Sequence, residues 1–358
     1  MQQTSLVTPD LADDRSAISN ATSPSVTESL EENARRPAVR RADLGSQLTA
    51  DVPPRTGRSG RRRWWRGVGP VATLAVMDGR LARYLGVVGL PGRGEHRARL
   101  VAGQFHDVVL VGGAAYRFPR DEESRRRLPA TVTLLEALSR RGLPVPVPVT
   151  TSHINAPLGQ CHVALARLPG EQLGALASRT QEDAVVRQLA ELLDRLAALG
   201  SDPAIQPLVP RAGDDYWLAF AGQVRHVLFP MMSGQGRRRA GAELAAVAAV
   251  AGTGDALVHT DLGGANLLWT TTGGVPHLTG VLDWDECCSG NQASDVASIA
   301  VTIGWPLAER IDDRRQISAR PLVAEAKIIA ATFALQQALP AALNEDHASL
   351  DNGLREYR

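Results

Sequence analysis

His259, Asp261 and Asn266 form the pattern His-x-Asp-x-x-x-x-Asn, and Asp283 follows 17 residues after the Asn, inside Asp283-Trp-Asp-Glu286. These are residue types that phosphoryl transfer from Mg·ATP needs. A carboxylate orients the attacking hydroxyl and accepts its proton, while an amide oxygen and a second carboxylate hold Mg2+ across the phosphates. In that assignment Asp261 is the base, Asn266 and Asp283 bind metal, and His259 shapes the loop without reacting. Taken singly, each has a plainer reading: a satisfied buried His, a turn Asp, a loop Asn. The joint pattern, in register and followed by an apolar hairpin and a second acidic run, is harder to reach by chance.

The surrounding sequence must fold these groups together. The Gly263-Gly264 bend returns the chain toward the metal site. Segments 267–269 and 278–282 are expected to pair as a hairpin closed through 270–276, which carries Asp283 back beside Asn266. Upstream, 103–111 reads as a strand, Gly112-Gly113 as a tight turn and 114–118 as the returning strand. A helix is expected over 125–141, extended chain over 143–149 because each Pro restricts its predecessor, and a strand over 162–166. Apolar residues then recur at helical spacing from Val185 to Leu199, with Gly200 as the stop. Further helices are expected over 243–251, 294–304 and 322–339. The fold class is therefore α+β, in two lobes: a small β-rich lobe over 77–168 and a larger, mostly helical lobe over 169–358.

Composition narrows the function classes. The chain has 358 residues and a formal net charge of +1, so no global field favours nucleic acid or an anionic membrane. No stretch approaches the roughly 18 uninterrupted apolar residues of a membrane helix. Three cysteines, Cys161, Cys287 and Cys288, exclude a paired disulfide framework and fit a reduced, cytoplasmic protein. Residues 1–66, rich in Ser, Thr, Pro and Arg, read as a disordered tail or as sequence upstream of a start at Met77. The Arg-rich run 55–66 could bind polyanions or resemble an export signal, but its position disfavours export. Every basic residue except Lys327 is Arg, so any chemistry usually given to an early lysine needs another group.

From about residue 98 to its end the chain resembles the aminoglycoside phosphotransferase and choline kinase superfamily, which has a protein-kinase-like fold. Within it, the chain is most similar to the phosphotransferases that inactivate the tuberactinomycin antibiotics viomycin and capreomycin. The segments that carry the resemblance are Gly103-Gln-Phe-His106, Leu228-Phe-Pro-Met-Met-Ser233, Asp261-Leu-Gly-Gly264, Leu282-Asp-Trp-Asp-Glu286, Thr332-Phe-Ala-Leu-Gln-Gln-Ala-Leu339 and Gly353-Leu-Arg-Glu-Tyr-Arg358. The resemblance implies ATP and Mg2+, with Gly103, Arg117, Ala164 and Ala166 at the nucleotide. It implies a small, hydroxylated, polycationic acceptor, with no nucleic acid, membrane or obligate protein partner. Asp285 and Glu286, and after them Asp214 and Asp215, are the acids expected to face that acceptor.

The chain departs from the family pattern in several places. Arg117 stands where a strand lysine is usual, and Thr131 stands where its helix Glu partner is usual, with Glu136 a turn late. Asn291 and Gln292 replace an Asp-Pro pair, but Asp295 is kept, where it can brace the catalytic loop. Thr260 replaces a Gly. The expected function is an ATP-dependent O-phosphotransferase acting on an aminoglycoside or tuberactinomycin-type antibiotic. The alternatives are a metabolic small-molecule kinase and a module that holds nucleotide without transferring it. A protein kinase is disfavoured by the lack of Asp-Phe-Gly and Ala-Pro-Glu segments.

Overall fold

The computed structural model describes residues 79–90, 98–103, 105–212, 214–250, 254–315 and 322–358. The expected tail, 1–66, lies outside the described residues. All that is described belongs to one compact unit, Arg62–Arg358.

The N-terminal lobe is an antiparallel sheet of β1 (Arg99–Ala102), β2 (His106–Val111), β3 (Ala114–Pro119), β4 (Pro148–Thr150) and β5 (Val163–Ala166), in the order β1-β2-β3-β5-β4. The expected strand over 103–111 therefore begins only at His106, as β2, and β1 before it was not expected. Gly103 begins the turn between them, its N–H donating to the His106 carbonyl at 2.8 Å. A Cβ at Gly103 would meet that carbonyl oxygen at 2.7 Å, so the close approach demands glycine.

Strand alternation sends Asp107, Val109, Tyr116 and Phe118 to one face and Val108, Ala115 and Arg117 to the other. Helix α1 (Gly79–Val87), which the sequence reading missed, covers the first face. Tyr84 stacks on Phe118 at 4.2 Å between centroids, and its hydroxyl donates to buried Asp107 at 2.9 Å. Helix α2 (Glu122–Arg140) covers the second face. It starts at an Asp121 cap that accepts the Ser124 N–H at 2.7 Å. Its Leu128, Val132, Leu135 and Leu138 share a core with Val163 and Leu165.

The C-terminal lobe is mostly helical: α3 (Arg179–Leu199), α4 (Asp214–Gln223), α5 (Gly234–Val250), α6 (Ala293–Ile303), α7 (Trp305–Arg314), α8 (Val323–Ala331), α9 (Phe333–Leu343) and α10 (His347–Leu354). Helices α3 and α5 start earlier than apolar periodicity suggests, because their first turns are polar and solvent-facing. The expected helix over 322–339 is broken at Thr332. That buried hydroxyl donates to the Ile329 carbonyl at 2.7 Å, a local bond that competes with the helical ladder. Val323–Leu343 is apolar and long enough to cross a membrane by length and composition. In this fold it is two helices that bury Ala326, Ile329, Leu335 and Ala338 in the apolar cores.

Two small ribbons sit among these helices. β6 (Ala256–Val258) pairs with β9 (Cys288–Gly290), and β7 (Leu267–Thr272) pairs with β8 (Val275–Val281). The β7–β8 turn is tighter than the expected 270–276: Gly273 and Gly274, both at positive φ, make a two-residue connection that matches strand twist.

Candidate active site

The catalytic loop leaves β6 at Val258 and reaches β7 at Leu267. His259 is fully buried. Its Nε2–H donates to the Leu282 carbonyl at 2.8 Å, and its ring meets Trp284 edge-on at 4.7 Å. Burial pushes its pKa down, so the ring stays neutral and acts as a strut between the two loops. Asp295, buried in the first turn of α6, accepts the backbone N–H groups of His259 at 3.1 Å and Thr260 at 2.9 Å. Burial raises the Asp295 pKa to about 7, against the pull of those two donors. The grip matters because Thr260 holds φ at 72°, a region that strains a β-branched residue by about 1–3 kcal/mol. The loop geometry thus explains why glycine is usual at this position.

Asp261 sits at the mouth of this loop. The Asn266 amide nitrogen donates both to the Asp261 carbonyl and to its Oδ2, each at 2.9 Å. That leaves the amide oxygen as the hard donor of Asn266. Leu282 N–H donates to the Asn266 carbonyl at 2.8 Å, which places Asp283 one residue beyond this tie. The hairpin therefore brings Asn266 and Asp283 together as its register requires. Burial, and then the Asp283 charge, raise the Asp261 pKa to about 6. Two carboxylates, Asp261 and Asp283, beside an amide oxygen fit a Mg2+ site. Mg2+ held there by Asn266 and Asp283 would supply positive charge to neutralise the phosphates.

Gly264 seals the loop against α6. Its N–H donates to Thr302 Oγ1 at 3.1 Å, and that hydroxyl donates to the Ser298 carbonyl at 2.9 Å. A Cβ on Gly264 would fall 2.3 Å from Thr302 Cγ2, and the two hydrogen bonds pin that rotamer. Gly264→Ala is expected to cost about 1–3 kcal/mol of stability and to lower turnover. Thr302→Ser, which keeps the hydroxyl and removes the clashing methyl, should restore both. Thermal melts and turnover of the single and double variants check this, and no rescue would contradict the steric account.

Arg117 reaches down from β3. Its Nη1 donates to Asp285 Oδ1 at 3.0 Å, its Nη2 donates to Asp283 Oδ1 at 2.9 Å, and Nη2 also bonds Asp285 Oδ2. Thr131 Oγ1 donates to Asp285 Oδ1 at 3.1 Å, and His106 Nδ1 lies 3.3 Å from Asp285 Oδ2. Burial first, and then the Arg117 charge, push the His106 pKa down to about 4, so it is neutral near pH 7.

Asp285, Ala164 and Ala166 lie elsewhere than the sequence suggests. Asp285, expected at the acceptor, is 8% exposed and enclosed by Arg117, Thr131 and His106. Glu286 is open to solvent, but its carboxylate accepts from Arg127 at 2.8 Å. Ala164 and Ala166 pair with Tyr116 and Ala114, so the register puts their side chains on the face opposite Arg117. The Ala166 N–H is already given to the Val147 carbonyl at 2.8 Å. The β5 residues on the Arg117 side are Val163 and Leu165, with Ala115 beside them. Gly103 sits at the β1–β2 turn, where the Arg120 guanidinium donates to its carbonyl at 2.7 Å. The side chains of Asp214 and Asp215 lie outside the described residues. Tyr216, next along α4, lines an open groove with Phe220, Gln223, Gln336, Leu339 and Pro340. Burial raises the Tyr216 pKa, and so does the nearby Glu286 charge.

A β-sheet lobe delivers a cation to loops bearing two carboxylates and an amide, the groups that a kinase-type phosphotransferase acting on hydroxyls uses. The profile of the phosphotransferase enzyme family matches residues 96–345, and the chain belongs to that family. The viomycin phosphotransferase of Streptomyces vinaceus is 38% identical over 273 residues, which are 75% of this chain and 95% of that protein. Solved structures at lower identity share the fold. The GDP complex of aminoglycoside 2'-phosphotransferase-IIIa aligns at TM-score 0.62 and 20% identity, over 71% of this chain and 88% of the other. The macrolide 2'-phosphotransferase MphH of Brachybacterium faecium aligns at TM-score 0.58 and 18% identity, over 78% and 97%. A streptomycin–ATP ternary complex of APH(2")-IIa aligns at TM-score 0.58 and 16% identity, over 79% and 97%.

Proposed function

We propose that this protein transfers the γ-phosphoryl group of Mg·ATP to a hydroxyl of a tuberactinomycin-type antibiotic and so inactivates it. The observation that carries the chemistry is the joined pair of loops, in which Asn266 ties both to Asp261 and to the backbone before Asp283. The likeness to a viomycin phosphotransferase along almost its whole length supports the acceptor class. In this reading Asp261 takes the proton of the acceptor hydroxyl, Asn266 and Asp283 hold Mg2+, and Arg117 faces the phosphates. The Gly103 turn covers them from the N-terminal lobe. The lobe over 77–168 binds nucleotide, and the lobe over 169–358 holds the loops and the acceptor.

Of the acids expected at the acceptor, Glu286 is the one left among the described side chains, with Tyr216 near it. Because Glu286 is half-exposed and already shared with Arg127, its contribution should be that of a surface pair. Glu286→Gln is expected to raise the viomycin KM about two- to fivefold with little change in kcat. A fall in kcat at constant KM would place Glu286 in the reacting step instead.

The direct test is purified protein with Mg·ATP and viomycin or capreomycin, read by the mass of a phosphorylated product. A neutral hydroxylated compound serves as control. Stoichiometric phosphopeptide supports the proposal. Phosphorylation of neither peptide would remove the antibiotic reading.

A further inference from the structure

Kinase sites hold their strand cation with a carboxylate from the neighbouring helix. Here the helix position facing β3 is Thr131, which has a hydroxyl and no charge. Arg117 is nonetheless only 12% exposed, and a guanidinium so enclosed needs a counter-charge. It finds one 168 residues away, on the loop that carries Asp283.

We propose that Asp285 is the positioning residue for Arg117, so that the carboxylate usually supplied by the helix comes from the metal loop, with Thr131 as its hydrogen-bond donor. The proposal rests on the kinase reading above. The local chain makes the arrangement possible. Asp283 takes φ 62°, and the chain alternates from it: Asp283 and Asp285 face Arg117, while Trp284 between them turns inward onto His259. The planar guanidinium suits this loop because it meets both Asp285 oxygens at once and still reaches Asp283. A lysine ammonium is a compact point charge without this planar fork. Holding Arg117 through Asp285 keeps the cation in place when Asp283 turns to a metal. His106 closes the far side of Asp285 without adding charge at neutral pH.

This assignment separates Asp285 from the acceptor, and the two roles predict different results. Mg·ATP affinity is measured by calorimetry on the full chain, with viomycin KM and nucleotide-free thermal midpoints in parallel. Asp285→Asn should weaken Mg·ATP binding about tenfold or more, as expected for a lost charged hydrogen bond, and leave the viomycin KM within about twofold. Adding Thr131→Glu to Asp285→Asn returns a carboxylate from the helix side and should recover most of the affinity. Adding Thr131→Gln, of the same shape without charge, should not. If Asp285→Asn alone folds poorly, the same pair of double variants decides through the melting midpoint, which Glu should restore and Gln should not. Unchanged Mg·ATP affinity in Asp285→Asn overturns the proposal and leaves the kinase reading standing. A defect confined to the viomycin KM, or equal rescue by Glu and Gln, also overturns it. A wild type that binds no Mg·ATP overturns both.

Discussion

Asp261→Asn should lower phosphotransfer by about 10²–10⁴-fold while Mg·ATP binding persists. The amide keeps the size of the carboxylate and can still meet the Asn266 side chain, so the loop should retain its shape. What it loses is the ability to accept a proton from the attacking hydroxyl. The wild-type carboxyl is pushed up to about 6 by burial and by Asp283, which poises it as a base near neutrality. Its protonated form cannot act as base, so turnover should fall as pH drops, approaching tenfold per pH unit, with the limb at or below about 6 because Mg2+ offsets the Asp283 charge. That acid limb should vanish from the residual activity of the variant. Steady-state rates across pH, with calorimetric Mg·ATP affinity, check both parts. Near wild-type turnover in Asp261→Asn would mean that another group takes the proton.

Asp283→Ala should instead remove metal-dependent nucleotide binding. In the proposed site Asp283 is the charged partner of Asn266 in holding Mg2+, and its loss would leave Asn266 alone. The same substitution places alanine at φ 62°, where a residue with a Cβ is strained, so a modest drop in melting temperature should accompany the loss. Asp283→Asn separates the effects, because Asn tolerates that conformation and still lacks the charge. Both variants should lose the Mg2+-dependence of ATP affinity, and only the alanine should lose stability. Unchanged Mg·ATP affinity in both would exclude Asp283 from the metal site.

The two variants also distinguish the loops. A base acts on the acceptor proton, so its loss leaves the nucleotide complex intact. A metal ligand acts before any transfer, so its loss removes the complex itself.

Much of this site was legible in the residues, because its essential groups lie close in sequence. Five positions separate Asp261 from Asn266, and a single hairpin separates Asn266 from Asp283. Hairpin register depends on local apolar patterning and turn residues, which a sequence displays directly. The bracing role expected of Asp295 is also of this kind, since a helix that starts beside β6 carries it to the loop.

Other features depended on contacts that no local pattern encodes. The partner of Arg117 comes from the other lobe, and only lobe packing brings Asp285 to it. From sequence, Asp285 and Glu286 look alike as adjacent acids; in the fold one is enclosed by Arg117, Thr131 and His106, and the other is open to solvent. Which β5 side chains share the face of Arg117 was hidden for a similar reason, and Ala164 and Ala166 lie on the opposite one. Side chains alternate along a strand, so a shift of one residue exchanges the faces, and the pairing of β5 with β3 sets the phase. Residue types and short spacings thus determined the chemistry this chain can perform. Tertiary packing decided which charge neutralises which, because an ion pair forms wherever the fold encloses two opposite charges, however far apart they lie along the chain.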